Sequence, residues 1–108
     1  YLDKPAVQAV APGTLGSKGQ IVRDGELTVA LIDEVDDTDI RYVQLPDDAE
    51  VRDIVEVYCT NSTGPFNAYV YPPTGETFAA ATTNAVFAMN RFRKLTSTLW
   101  SWNSGVSI

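Results

Sequence analysis

The chain has 108 residues, 44% of them hydrophobic, with 14 acidic side chains against 8 basic ones and no histidine. That length gives one domain with a core of ordinary size, and the hydrophobic fraction argues against general disorder. The formal net charge of −6 argues against nonspecific binding to nucleic acid or anionic lipid, because phosphate binding needs Lys and Arg to displace counterions.

Residues 1–19 are rich in Pro and Gly and poor in bulky apolar side chains. They read as an extended N-terminal arm, with a short strand at Ala6 to Val10. The arm is either a loose terminus or a segment ordered against a neighbour, and Val7, Val10 and Leu15 give it something to bury. Residues 20–108 read as a single β-domain.

Within that domain, residues 20–24 and 26–32 flank Asp24-Gly25, a favoured two-residue hairpin signal. The second of these strands is apolar on both faces, Leu27, Val29 and Leu31 on one and Ala30 and Ile32 on the other. Such strands lie in a core or at a subunit interface. Asp33, Glu34, Asp36, Asp37 and Asp39 then crowd one short stretch. A divalent cation site and a solvated loop compete there; the glycine turn and distal glutamate of an EF-hand are missing, which favours the loop.

A strand follows at residues 40–45, with Ile40, Tyr42 and Gln44 on one face and Arg41, Val43 and Leu45 on the other. Residues 55–78 read as a central hairpin. Val55, Val57 and Cys59 alternate inward; after a turn, Ala68 and Val70 alternate with Tyr69 and Tyr71, and Pro72-Pro73 ends the second strand. Tyr58 is expected across from Tyr69 and Tyr71. Residues 77–83 read as a close-packed loop, and three short strands end the chain at residues 86–89, 92–95 and 99–103, with Asn90-Arg91 and Ser97-Thr98 as turns. Strands at such spacing, without a helix, argue for an all-β sandwich or barrel.

The chemistry available is narrow. Without histidine there is no His-based nucleophile pair or general base, and one cysteine cannot make a zinc site. No catalytic residue set, cofactor site or metal ligand set is expected, and neither is a membrane-spanning helix. Cys59 allows no intrachain disulfide, in keeping with a reducing cytosol. Asn61-Ser62-Thr63 matches a glycosylation acceptor but reads as turn chemistry. Tyr69 and Tyr71 form a candidate exposed aromatic face, for sugar or protein. One of Trp100 and Trp102 is expected in the core and the other toward a neighbour. Arg91, Arg93 and Lys94 form a basic cluster able to meet the acidic stretch of the same or another copy.

Residues in order carry a resemblance: Leu45-Pro46, Val55-Glu56-Val57, Asn61, Val70-Tyr71-Pro72-Pro73-x-Gly75, Thr83-Asn84-Ala85, Phe87 and Thr98-x-Trp100. This order resembles a β-sandwich module of tailed-bacteriophage virion proteins, found in small capsid decoration (cement) proteins and in head or tail fibre tips. The N-terminal Val7-Gln8-Ala9-Val10, Gly16 and Asp24-Gly25-x-Leu27 look similar to stand-alone decoration proteins. The likeness covers about residues 20–103; the acidic stretch and the basic cluster depart from it. It implies an antiparallel β-sandwich, jelly-roll-like or a small barrel, made in the host cytoplasm and seated as a homotrimer on the outer capsid surface. The implied partner is the major capsid protein, with Val7, Val10, Leu15, Arg91, Arg93 and Trp102 as candidate contacts. A fibre tip binding a host receptor or glycan is the alternative.

Overall fold

The structure is a computed structural model, and it describes residues 6–32, 40–59, 68–79, 86–87 and 90–104. These residues form ten strands and, among themselves, no helix: β1 (Val7–Val10), β2 (Gly19–Gln20), β3 (Leu27–Ile32), β4 (Tyr42–Gln44), β5 (Ile54–Cys59), β6 (Tyr69–Tyr71), β7 (Thr77–Phe78), β8 (Val86–Phe87), β9 (Asn90–Lys94) and β10 (Leu99–Ser104). The strands make two sheets. One has six strands in the order β1-β3-β5-β9-β10-β7, the other four in the order β2-β4-β6-β8. The all-β expectation is met.

The pairing differs from the antiparallel arrangement expected. Up to β8 the chain alternates between the sheets, so the neighbours in each sheet are mostly strands two apart in sequence. Through β6, strands reached by an out-and-back excursion run the same way. Accordingly β1–β3, β3–β5, β2–β4 and β4–β6 are parallel, whereas β5–β9, β9–β10 and β6–β8 are antiparallel. The hairpin expected over residues 55–78 does not form, since β5 belongs to the larger sheet and β6 to the smaller. Asp24-Gly25 does turn the chain, with Gly25 at φ 74, but β2 and β3 on either side lie in different sheets. Tyr58 therefore does not lie across from Tyr69 and Tyr71. Asn90-Arg91, expected as a turn, opens β9, while Ser97-Thr98 does turn between β9 and β10.

Alternation decides what is buried. Thr28, Ala30 and Ile32 of β3, Val55 and Val57 of β5, and Phe92 and Trp100 of β9 and β10 point inward from the larger sheet. Val43 and Val70 do so from the smaller one, joined by Ile21, Leu45 and Ala68 from its flanks. Together they form one core cluster, with Cys59 and Trp102 packed at its margin. Phe78 and Phe92 meet with centroids 5.4 Å apart. The hydroxyl of buried Thr28 accepts the Asp24 amide at 2.8 Å, so the one polar inward side chain of β3 is satisfied and closes the turn at Gly25.

From Ala6 onward the segment expected as an arm is joined to the sheets. Strand β1 is the edge of the larger sheet, and its Gln8 side chain clamps the backbone of Val22, donating to the carbonyl at 2.8 Å and accepting from the amide at 2.9 Å. Gly13 exchanges backbone hydrogen bonds with Tyr42 at 2.8 and 2.9 Å. A Cβ on Gly13 would overlap the Ser17 carbonyl, and one on Gly19 the Ala11 carbonyl, so this excursion needs glycine at both positions.

Before β5, Arg52 holds φ 84, a left-handed conformation that costs a residue with a Cβ about 1–2 kcal/mol. The turn is fixed by the Asp53 amide on the Glu50 carbonyl at 2.9 Å and the Arg52 amide on the Lys94 carbonyl at 2.8 Å. We expect thermal stability to rank Arg52→Gly above wild type and wild type above Arg52→Val, with about 1–2 kcal/mol between the extremes. Calorimetric melting of the three proteins checks the order; a Val variant as stable as the Gly variant would contradict it.

Candidate interaction surfaces

The outer face of the six-stranded sheet is set by the same alternation that fills the core. Three rows cross it in register. Val7, Val29, Glu56 and Arg91 make one; Leu27, Ile54, Arg93 and Ser101 the second; Ala9, Leu31 and Tyr58 the third. The rows are apolar over β1 and β3 and turn polar toward β9. Val7 is 60% exposed, and Leu27, Val29, Leu31 and Ile54 are half-buried. The two-sided apolar character of β3 read from sequence is thus realised, with one face in the core and the other outside. At the polar margin Arg91 gives both Nε and Nη2 to Glu56 Oε2, at 3.1 and 2.8 Å, and the Tyr58 hydroxyl donates to Glu56 Oε1 at 2.9 Å. Burial, together with that bond and the Glu56 charge, pushes the Tyr58 phenol above its ordinary range, so it keeps its proton and donates.

A second surface lies on the four-stranded sheet. Tyr42 stands beside Tyr69 in register, stacked with centroids 5.6 Å apart at 14°, and meets Tyr71 edge-on at 6.1 Å. The Arg41 guanidinium lies 4.5 Å over the Tyr69 ring, and Lys18 Nζ 4.7 Å over the Tyr71 ring. Contacts therefore run Arg41, Tyr69, Tyr42, Tyr71, Lys18. Burial and the neighbouring Tyr42 and Tyr69 raise the Tyr71 phenol above its ordinary range.

Beneath the end of the larger sheet lies a third feature, a set of buried ion pairs. Lys94 is 6% exposed; it donates to the Ala49 carbonyl at 3.1 Å and sits 3.3 Å from Glu76 Oε1, which also accepts Trp100 Nε1 at 2.7 Å. Asp53 holds Arg23 and also accepts the Glu50 amide at 2.8 Å. Burial alone would raise the Asp53 carboxyl. The Arg23 hydrogen bond, the Glu50 amide and the charges of Arg23 and Lys94 together outweigh it, so its pKa lies below the ordinary value.

Of the residues singled out in the sequence, Val7 and Leu15 are exposed, Val10 is in the core, and Trp102 is half-buried with its Nε1 on the Ala79 carbonyl at 3.1 Å. Trp100 is the core tryptophan. The basic cluster is divided: Arg91 and Arg93 are on the outer face, Lys94 is on the inner one. The acidic stretch it was expected to meet, and the Asn61 motif, lie outside the described residues. Among the described residues no three His, Cys, Asp or Glu side chains gather as a metal site. Sequence reading missed Lys18, Arg41 and Tyr42 as a set, because their grouping depends on β4 lying beside β6. It also missed Asp53 and Glu76, which an acidic chain hides among many solvated carboxylates. No protein-family model matches the chain, and neither a curated protein nor a solved structure matches it.

Two predictions concern the buried pairs. The carboxyl of Asp53 is depressed in the folded state, so its contribution to stability is full above the ordinary carboxylate pKa of about 4. It is lost as pH falls from there through the folded value. Urea midpoints of wild type should fall below about pH 4, while those of Asp53→Asn, lower at neutral pH, should fall less steeply. For Lys94, removing the cation strands Glu76 in a nearly dry site, a loss of about 3 kcal/mol. Lys94→Met should therefore lose about that much in urea unfolding, and adding Glu76→Gln, which keeps an acceptor for Trp100, should restore at least about 1 kcal/mol. Simple additivity of the two changes would contradict this coupling.

Proposed function

We infer that the chain is a virion structural protein, a capsid decoration protein that binds an assembled phage shell and stabilises it, and that its two sheets form a β-sandwich. The observation that carries this reading is the outer face of β1, β3 and β5, apolar in the strand that also fills the core. A sheet face of that kind is suited to lie against another protein. The ordered likeness to phage virion modules supplies the partner class, the major capsid protein, and a homotrimer on the outer capsid surface. The mechanism is linkage. A protein that binds only the assembled shell stabilises it by its own binding free energy, with no chemical step. A fibre tip would use the same fold with the tyrosine row turned to a receptor, and the position of the protein in a virion reconstruction separates the two.

Purified protein added to expanded shells that lack it should bind saturably and raise their melting temperature. Val7→Glu, a change at an exposed edge position, should leave the protein's own melting unchanged and weaken shell binding at least tenfold, about 1.4 kcal/mol. Failure of the wild-type protein to bind such shells would overturn the reading. Sedimentation should give about three times the 11.8 kDa chain mass if the trimer forms before docking.

A further inference from the structure

Of the seven described cations of this chain, Arg52 and Arg93 are exposed, and the other five divide into two groups. Arg23, Arg91 and Lys94 each hold a carboxylate of the same chain. Arg41 and Lys18 are held on tyrosine rings instead, with no ion pair among the described residues. In a chain with 14 acidic side chains and 8 basic ones, two fixed cations without a carboxylate stand out. They close the two ends of one contact chain, with Tyr69, Tyr42 and Tyr71 between them. The Arg41 Nε is buried and has no hydrogen-bond partner. A buried N–H without an acceptor carries an unrecovered desolvation penalty.

We propose that this tyrosine row, with Arg41 and Lys18 at its ends, docks an extended acidic segment of a partner protein. Both ring-held cations are positioned before binding, so little side-chain freedom is lost on meeting a carboxylate. Tyrosine and arginine are also the side chains that dominate protein interfaces. A saccharide is a poorer fit, because sugar binding needs an open ring face, and the Tyr69 ring is already met by Tyr42 and by Arg41. Nucleic acid is poorer still, because two cations cannot displace the counterions along a phosphate backbone. The site is separate from the outer face of the six-stranded sheet, so it stands or falls independently of the decoration reading.

The test uses the full chain, isotope-labelled, in low salt. The first probe is a blocked hexapeptide of alternating Glu and Thr. The others are its counterpart with Gln for Glu, and sialyllactose as an acidic saccharide. The Glu peptide should shift the amide signals of Tyr42, Tyr69 and Tyr71 saturably, and raising the salt should abolish the shifts. The Gln peptide should bind at least tenfold more weakly. Lys18→Gln with Arg41→Gln should also lose at least tenfold, whereas Arg52→Gln, which removes the same kind of charge at the turn before β5, should lose less than twofold. Should the double variant not fold, the salt dependence and the Glu/Gln difference on wild type still decide the matter. Equal shifts with both peptides, no shifts, or shifts at these tyrosines from sialyllactose alone would overturn the proposal.

Discussion

The structure depends on one constraint of connectivity: from β1 to β8 the chain changes sheet at every strand. Because each excursion through the other sheet up to β6 returns the chain in the same direction, β3 pairs in parallel with β1 on one side and β5 on the other. That fixes the centre of the larger sheet. It also turns one face of β3, β4, β5 and β6 inward whatever lies outside, since both sheets feed a single core cluster. Only the step from β9 to β10 escapes the alternation, and these two form the one hairpin among the described strands, closed by the Leu95 amide on the Leu99 carbonyl at 2.8 Å.

This explains how much the sequence could say. Period-two alternation reports which side chains share a face, and it did so correctly for Val43 and Leu45 and for Val55 and Val57. It reports nothing about which strand lies alongside. The turn signal at Asp24-Gly25 is a real break in the chain, but a break serves a crossover to another sheet as well as a hairpin. Every error of pairing follows from that ambiguity, including the placing of Tyr58 rather than Tyr42 beside Tyr69. The candidate surfaces suffered likewise: the apolar outside of β3 could be read within one strand, whereas the tyrosine row spans two strands and a loop.

The charges follow a related logic. Lys94 alternates with Phe92 and Asn90 and so is carried to the inner face by the strand period, whatever its polarity. The surroundings answer with Glu76, the Ala49 carbonyl and the face of Trp100 at 5.9 Å. Asp53 is handled the same way by Arg23 and the Glu50 amide. A short core gains specificity from such pairs more readily than stability, because charges taken out of water recover their desolvation only in a good geometry. Here Lys94, through the Ala49 carbonyl, fastens the loop before β5, with its strained Arg52, to β9, and the Asp53–Arg23 pair fastens the same loop to the segment before β3.

What remains on the surface is a division between two kinds of face. The larger sheet presents apolar rows edged by the Glu56–Arg91 pair, a surface that gains by excluding water and is indifferent to the sequence of what covers it. The smaller sheet presents hydroxyls and two ring-held cations, a surface that gains little from area and discriminates by charge and hydrogen bonding. A protein that must hold a broad, repetitive shell needs the first; one that must tell one acidic segment from its neighbours needs the second. Because the two faces belong to different sheets joined by one core, a change at either can alter its contact while leaving the other's frame in place.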